Sequence, residues 1–200
     1  TYVAFVVGDG DNIRFVMTTR KAWLRERIDN CASSPATCAP LTWSLSPHLA
    51  ELAPDVLEWY FATSEATGQD YFILPPSGHL YAYPTDLNEA DQDRFVTLTE
   101  RDARILGTRS VVHWDQNTTW TAAQTTFLPK YARADGVIQG IVAVNVPYLI
   151  EAFPEWDPTE YHRVLTGNDG TPLVVFRPRA WRGVNDIDAN FFVSPQNMAN

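Results

Sequence analysis

The feature that most constrains this chain is its opening, a short and almost unbroken apolar run from Tyr2 to Val7 that stops abruptly in Gly8-Asp9-Gly10-Asp11-Asn12. A run of that length suits a strand buried on both faces. The two glycines admit tight or left-handed backbone, and a helical pattern begins at Ile13. Strand, acidic turn, helix make one βα unit with its polar groups at the strand's carboxyl end, the place where α/β proteins put their chemistry.

The rest of the chain repeats the plan. Helical spacing covers 13–28, with Phe15, Val16, Thr19, Ala22 and Trp23 as the apolar side and Arg14, Lys21 and Arg25 opposite. A second strand at 41–45 leads into Ser46-Pro47-His48 and a helix over 48–67, which Pro54 must kink or split and Gly68 closes. A third strand at 71–74 enters a long, aromatic, proline-stiffened loop at 75–84. A helix over 88–106 stops at Gly107, a fourth strand at 110–115 finishes on Asp115, and a helix follows at 119–134. One or two strands at 136–145 end on Asn145, and the last clear strand is 173–177; residues 186–200 carry no assignment. Strands alternating with helices predict a parallel sheet with right-handed crossovers. The fold class expected is α/β, a single domain over 1–200 resembling a (β/α) barrel, irregular or incomplete. A barrel is preferred to a doubly wound sheet because polar groups end nearly every strand.

The chain has 200 residues, 45% of them apolar and seven of them Trp, which is enough for a sizeable core. Its net charge of −9 and the lack of any Lys/Arg cluster exclude nucleic acid as a partner. No apolar run approaches the roughly 20 residues that span a bilayer. No signal peptide is visible, and the abrupt start inside a strand suggests a piece of a longer chain. Cys31 and Cys38 enclose a polar six-residue loop with no metal-like neighbours, so a local disulfide is expected. Asn117-Thr118-Thr119 is a glycosylation sequon. Both features point towards a secreted or extracellular protein.

The loop Gly78-His79-Leu80-Tyr81-Ala82-Tyr83-Pro84 resembles the signature of the GxGYxYP putative glycoside hydrolase family. Gly78, Tyr81, Tyr83 and Pro84 match it, and Leu80 stands where the motif has its second glycine. The opening V-V-G-D-G-D-N is similar to the start of that family's C-terminal domain, in the expected order. The resemblance implies carbohydrate as the partner and carries no catalytic assignment; other domains or subunits of a larger extracellular assembly are the partners expected of a non-catalytic module.

Glycoside hydrolysis needs two carboxyl groups, about 5 to 9.5 Å apart, across the scissile bond. Asp9, Asp11 and Asp115 are the carboxylates expected at strand ends, with Asp9 or Asp11 paired with Asp115. The competing assignment for Asp9 and Asp11 is capping of the first helix. A further one is a Ca²⁺ or Mg²⁺ site on Asp9-Gly10-Asp11-Asn12, although the spacing falls short of an EF-hand and no cofactor is otherwise implied. Tyr81, Tyr83, Trp114 and His79 could form a platform for sugar rings. Asn12, Asn145 and Arg177 complete the expected substrate-binding set, Arg177 being equally suited to pairing with the rim aspartates. His113 reads as a core residue. Zinc motifs and G-x-S-x-G are absent. The functions in contention are a glycoside-hydrolase-like enzyme, a non-catalytic structural or carbohydrate-binding module, and a metal-dependent hydrolase or deacetylase.

Overall fold

The computed structural model describes residues 4–116, 118–146 and 160–178. Three parallel strands, β1 (Val6–Val7), β2 (Leu41–Ser44) and β3 (Asp70–Ile73), form one sheet in that order. A second sheet runs β4 (Ser110–Gln116), β5 (Gly140–Val146), β7 (Pro172–Phe176) and β6 (His162–Thr166). The sheets meet at a parallel bridge between Leu74 and Val111, where Leu74 N donates to Ser110 O (3.1 Å) and Val112 N donates to Leu74 O (3.0 Å). The strands therefore lie in one row, and β1 to β5 follow one another in chain order without the reversal that defines a doubly wound sheet. No pairing among the described strands closes the row into a barrel.

Helices fill the crossovers. α1 (Ile13–Phe15) passes through a π-helical turn, Val16–Arg20, into α2 (Lys21–Ser33). Pro54 splits the next helix as expected. α3 (Leu49–Leu52) stops at Ala53, and Pro54 starts α4 (Pro54–Thr67), which ends at Gly68 with φ 62°. α5 (Glu89–Leu106) is capped by the Asn88 side chain and closed by Gly107 at φ 64°. The expected helix at 119–134 is instead α6 (Trp120–Ala122), a π-helical turn at Ala123–Phe127 and a 3-10 turn at Leu128–Tyr131. Pro129 lacks the N–H that a continuous helix would need there. Residues 136–139 are not strand, and β6, antiparallel to β7, is an element the sequence reading did not anticipate. In the first helical segment the buried residues are Val16, Arg20 and Leu24, while Trp23, expected to face inward, is 46% exposed.

Right-handed crossovers between strands laid down in order place the helices on one face. The main core lies there. Trp43, Leu74, Val111, Ile141, Ala143, Leu173 and Val175 from the strands meet Leu24, Leu57, Tyr60, Phe95 and Phe127 from the helices. Each Leu, Ile, Val or Phe among them, when fully buried, contributes about 1.5–3 kcal/mol. The opposite face carries a smaller cluster of Ile73, Val112, Trp114 and Val144, with Tyr83 and Val142 against it. Strand periodicity accounts for the split: on β4, Val111 and His113 face the helices and Val112 and Trp114 face away.

Two polar devices anchor the layers. Cys31 and Cys38 are disulfide-bonded around a 3-10 turn at Pro35–Thr37, the expected local bridge. Asp70, buried at the start of β3, accepts from Arg27 Nε (2.6 Å), Trp43 Nε1 (2.7 Å) and Thr67 Oγ1, joining α2, β2 and α4. No described helix is long and apolar enough to cross a membrane. Replacing Asp70 by Ala strands the Arg27 charge and two further donors, so urea denaturation is expected to show a loss of about 3–5 kcal/mol.

Candidate functional site at the strand ends

The carboxyl ends of the five in-order parallel strands share one edge of the row. At the first, the acidic turn is pressed against β2. A Cβ on Gly10 would overlap the Ser44 carbonyl, so only glycine fits. Gly10 N donates to Ser44 Oγ (3.0 Å), and that hydroxyl donates to Val7 O (2.9 Å). Asn12 Oδ1 accepts from Phe15 N (3.0 Å), so Asn12 supplies the cap that Asp9 and Asp11 were candidates to supply.

Asp9 takes φ 61°, the only positive value at a non-glycine among the described residues, and its side chain is exposed. Asp11 is half-buried. Burial pushes its carboxyl above the ordinary value; a backbone hydrogen bond opposes this, the Asp9 charge adds to it, and Arg20 pulls it back down. Arg20 lies beneath the turn, fully buried, donating to Ser44 O and Gly8 O.

The loop after β3 has two feet. Ser77, fully buried, accepts from Trp114 N (2.9 Å) and donates to Ala82 O (2.8 Å), which ties the loop to β4. Gly78 takes φ 114°, and a Cβ there would lie 2.6 Å from the Thr99 side chain, so the motif's first glycine is required on both counts. Leu80 keeps negative φ and is exposed, so the backbone at the motif's second position needs no glycine in this chain.

Tyr81, 54% exposed, packs edge-on against Trp114 (5.1 Å between ring centroids) and Tyr83 (6.3 Å) on the face away from the helices. His79 turns the other way. Its Nδ1 lies 2.6 Å from Asp102 Oδ2, its N donates to Thr99 Oγ1 (3.1 Å) on α5, and its carbonyl accepts from His48 Nε2 (2.7 Å). Of the expected platform, the structure brings together Tyr81, Tyr83 and Trp114 and sets His79 apart.

Asp115, at the end of β4, is completely buried on the helix side. Its carboxylate accepts from Thr85 Oγ1, Thr119 Oγ1 and Gln116 N (2.9 Å), and His113 Nε2 lies 3.2 Å away. Burial alone would push its carboxyl up; the hydrogen bond and charge of His113, with the two threonine hydroxyls, outweigh that and hold it below the ordinary value. Asn145 pairs with Asp115 in register across β4 and β5. Arg177 follows β7, its N donating to Tyr161 O (2.9 Å) and its guanidinium 5.8 Å from the Tyr161 ring. Asn117 lies outside the described residues. No group of three or more His, Cys, Asp or Glu that could hold a metal ion occurs among the described residues.

Sequence reasoning missed Arg20, Ser44, Ser77 and Asp102. Arg20 had a signal: it stands four residues from both Val16 and Leu24, on the face those two bury.

Acidic and aromatic side chains gather at the carboxyl ends of parallel strands, the edge on which α/β domains carry their loops. The chain belongs to the GxGYxYP putative glycoside hydrolase family, with residues 1–157 matching its C-terminal domain. It is similar to the crystal structure of a putative hydrolase from Bacteroides thetaiotaomicron, at 25% identity and a TM-score of 0.67. That likeness covers 94% of this chain and 32% of the hydrolase, so the chain spans about a third of its length. A 4-alpha-glucanotransferase from Thermococcus litoralis aligns at 14% identity and a TM-score of 0.49, over 86% of this chain and 27% of that one. No curated protein matches the chain in sequence.

Because the folded Asp115 carboxyl lies below its ordinary value of 3.8, its stabilising contribution is present above that pH and is lost as pH falls through the depressed folded value. Asp115→Asn is expected to cost about 1–3 kcal/mol at neutral pH and to flatten this part of the acid limb. Denaturant midpoints measured from neutral pH into the acid range check both.

Proposed function

We propose that this chain is a glycoside-hydrolase-like domain that handles a secreted or surface glycan at the shared strand-end rim of a barrel-like scaffold. The observation that carries this reading is Asp9. An L residue held at φ 61° between two glycines costs of order 1 kcal/mol or more that a third glycine would avoid, and the helix behind it is already capped by Asn12. A carboxylate kept in that position, beside Asp11, fits acid–base work on a glycosidic bond better than a structural duty.

The platform for the sugar is the exposed Tyr81 with Tyr83 beside it, both backed by the buried Trp114. β2 lies between β1 and β3 and Trp114 stands on β4, so two to three strand spacings, about 10–15 Å of rim, divide the acidic turn from the aromatic rings, a span that sugar units can bridge. Asn145 and Arg177 flank the same reading as further glycan contacts. In it Asp115 anchors the loops carrying Thr85 and Thr119, because its oxygens already hold four neighbours. That same engagement favours the second reading, a carbohydrate-binding module without turnover, because it leaves the working carboxylates in one turn. The disulfide supports an extracellular setting.

Reducing-end release from a polysaccharide panel tests the proposal. The wild type is expected to turn over at least one glycan, and Asp9→Asn and Asp11→Asn to lose about 10²–10⁴-fold. Asp9→Gly is expected to match the loss of activity while keeping or slightly raising the melting temperature, because the backbone strain is relieved. Glycan binding without turnover, abolished by Tyr81→Ala, would replace the hydrolase by the binding module; activity lost to a chelator and restored by Ca²⁺ or Mg²⁺ would replace it by a cation-dependent enzyme.

A further inference from the structure

Beyond the last paired residues, Val7 and Trp43, the junction of β1 and β2 is carried on by side chains. Ser44 Oγ bridges Val7 O and Gly10 N, and Arg20 bridges Ser44 O and Gly8 O. The guanidinium is completely buried, lies 5.3 Å from the Phe15 ring and 5.8 Å from the Trp43 ring, and leaves its Nε without a hydrogen-bond partner among the described residues. Burying a charge costs several kcal/mol, and two carbonyls could be satisfied by a neutral donor. The charge therefore needs its own explanation.

Three titratable groups lie close enough to act on Arg20 through their charge: Tyr60, Asp9 and Asp11. Tyr60 donates its hydroxyl to Val16 O (2.6 Å), and burial pushes that hydroxyl up to about 12 against the pull of Arg20, so it stays neutral at physiological pH. The balance to the guanidinium comes from Asp9 and Asp11.

We propose that Arg20 is the positioning residue of the acidic turn, its planar fork clamping the carbonyls of Gly8 and Ser44 so that Asp9 and Asp11 project from a fixed backbone above a fixed positive charge. This rests on the reading of Asp9 and Asp11 as working carboxylates. The fork matters as much as the charge, because two carbonyls from adjacent strands are matched by a planar guanidinium and not by an ammonium.

The test compares wild type, Arg20→Lys and Arg20→Met by melting temperature, by the amide chemical shifts of residues 8–12, and by the pH profile of glycan release. Arg20→Lys keeps the charge and loses the fork. It is expected to fold, to shift the amides of Gly8 to Asn12 and to lose about 100-fold in turnover, the scale of a misplacement of about 1 Å, with the limbs of its pH profile unmoved. Arg20→Met also removes a cation that pulls Asp11 down, so the limb governed by Asp11 is expected to move to higher pH. Wild-type turnover and wild-type amide shifts in Arg20→Lys overturn the proposal. So does failure of both variants to fold, which would make Arg20 a stability residue alone. If the wild type itself releases no sugar, the hydrolase reading fails, while the amide shifts still decide whether Arg20 holds the turn.

Discussion

Everything at the strand-end rim depends on one topological constraint, the right-handed crossover between parallel strands added in chain order. β1 to β5 never reverse direction along the row, so their connecting helices fall on one face and their carboxyl ends on one edge. The acidic turn after β1, the motif loop after β3 and the end of β4 then lie along one edge although they are far apart in sequence. The helix face takes the larger core, and the other face carries the smaller buried cluster of Ile73, Val112, Trp114 and Val144, with Tyr81 exposed at its edge.

Within that frame the two loops are built on the same principle, a glycine where a side chain cannot fit and a buried polar group that ties the loop to the next strand. In the acidic turn these are Gly10 against the Ser44 carbonyl, with Arg20 below. In the motif loop they are Gly78 against Thr99, with Ser77 bonded to Trp114 N and Ala82 O. Each device puts buried hydrogen bonds into loop geometry and leaves a nearby residue, Asp9 in one case and Tyr81 in the other, exposed to solvent.

Much of the fold was legible from the residues. Gly68 and Gly107 mark helix ends because only the left-handed backbone closes those turns without strain, Pro54 marks the break between α3 and α4, and Cys31 and Cys38 lie too close in sequence to need distant partners. The strand ends were legible too, as apolar runs that stop at polar residues. Less so was the first helix: it passes through a π-helical turn at Val16–Arg20, and its buried stripe is Val16, Arg20 and Leu24, which leaves Trp23 46% exposed. β6 escaped detection because His162-Arg163-Val164-Leu165-Thr166 has the composition of a polar connector and becomes a strand by pairing with β7.

The sequence by itself determined that Trp114 and Asp115 face opposite ways, since the period of a strand is two. It could not determine which of them faces the helices: His113 and Asp115 make the Val111 face the more polar one, and yet that is the face turned to the helix layer. That was decided by the tertiary structure: His113 stacks on Phe127 at 5.3 Å and takes Asp115 with it into the helix layer, where Thr85 and Thr119 close over the carboxylate. Trp114 is thereby left on the other face, against Tyr81. Local periodicity sets relative orientation along a strand, and only packing against other elements gives that orientation a direction.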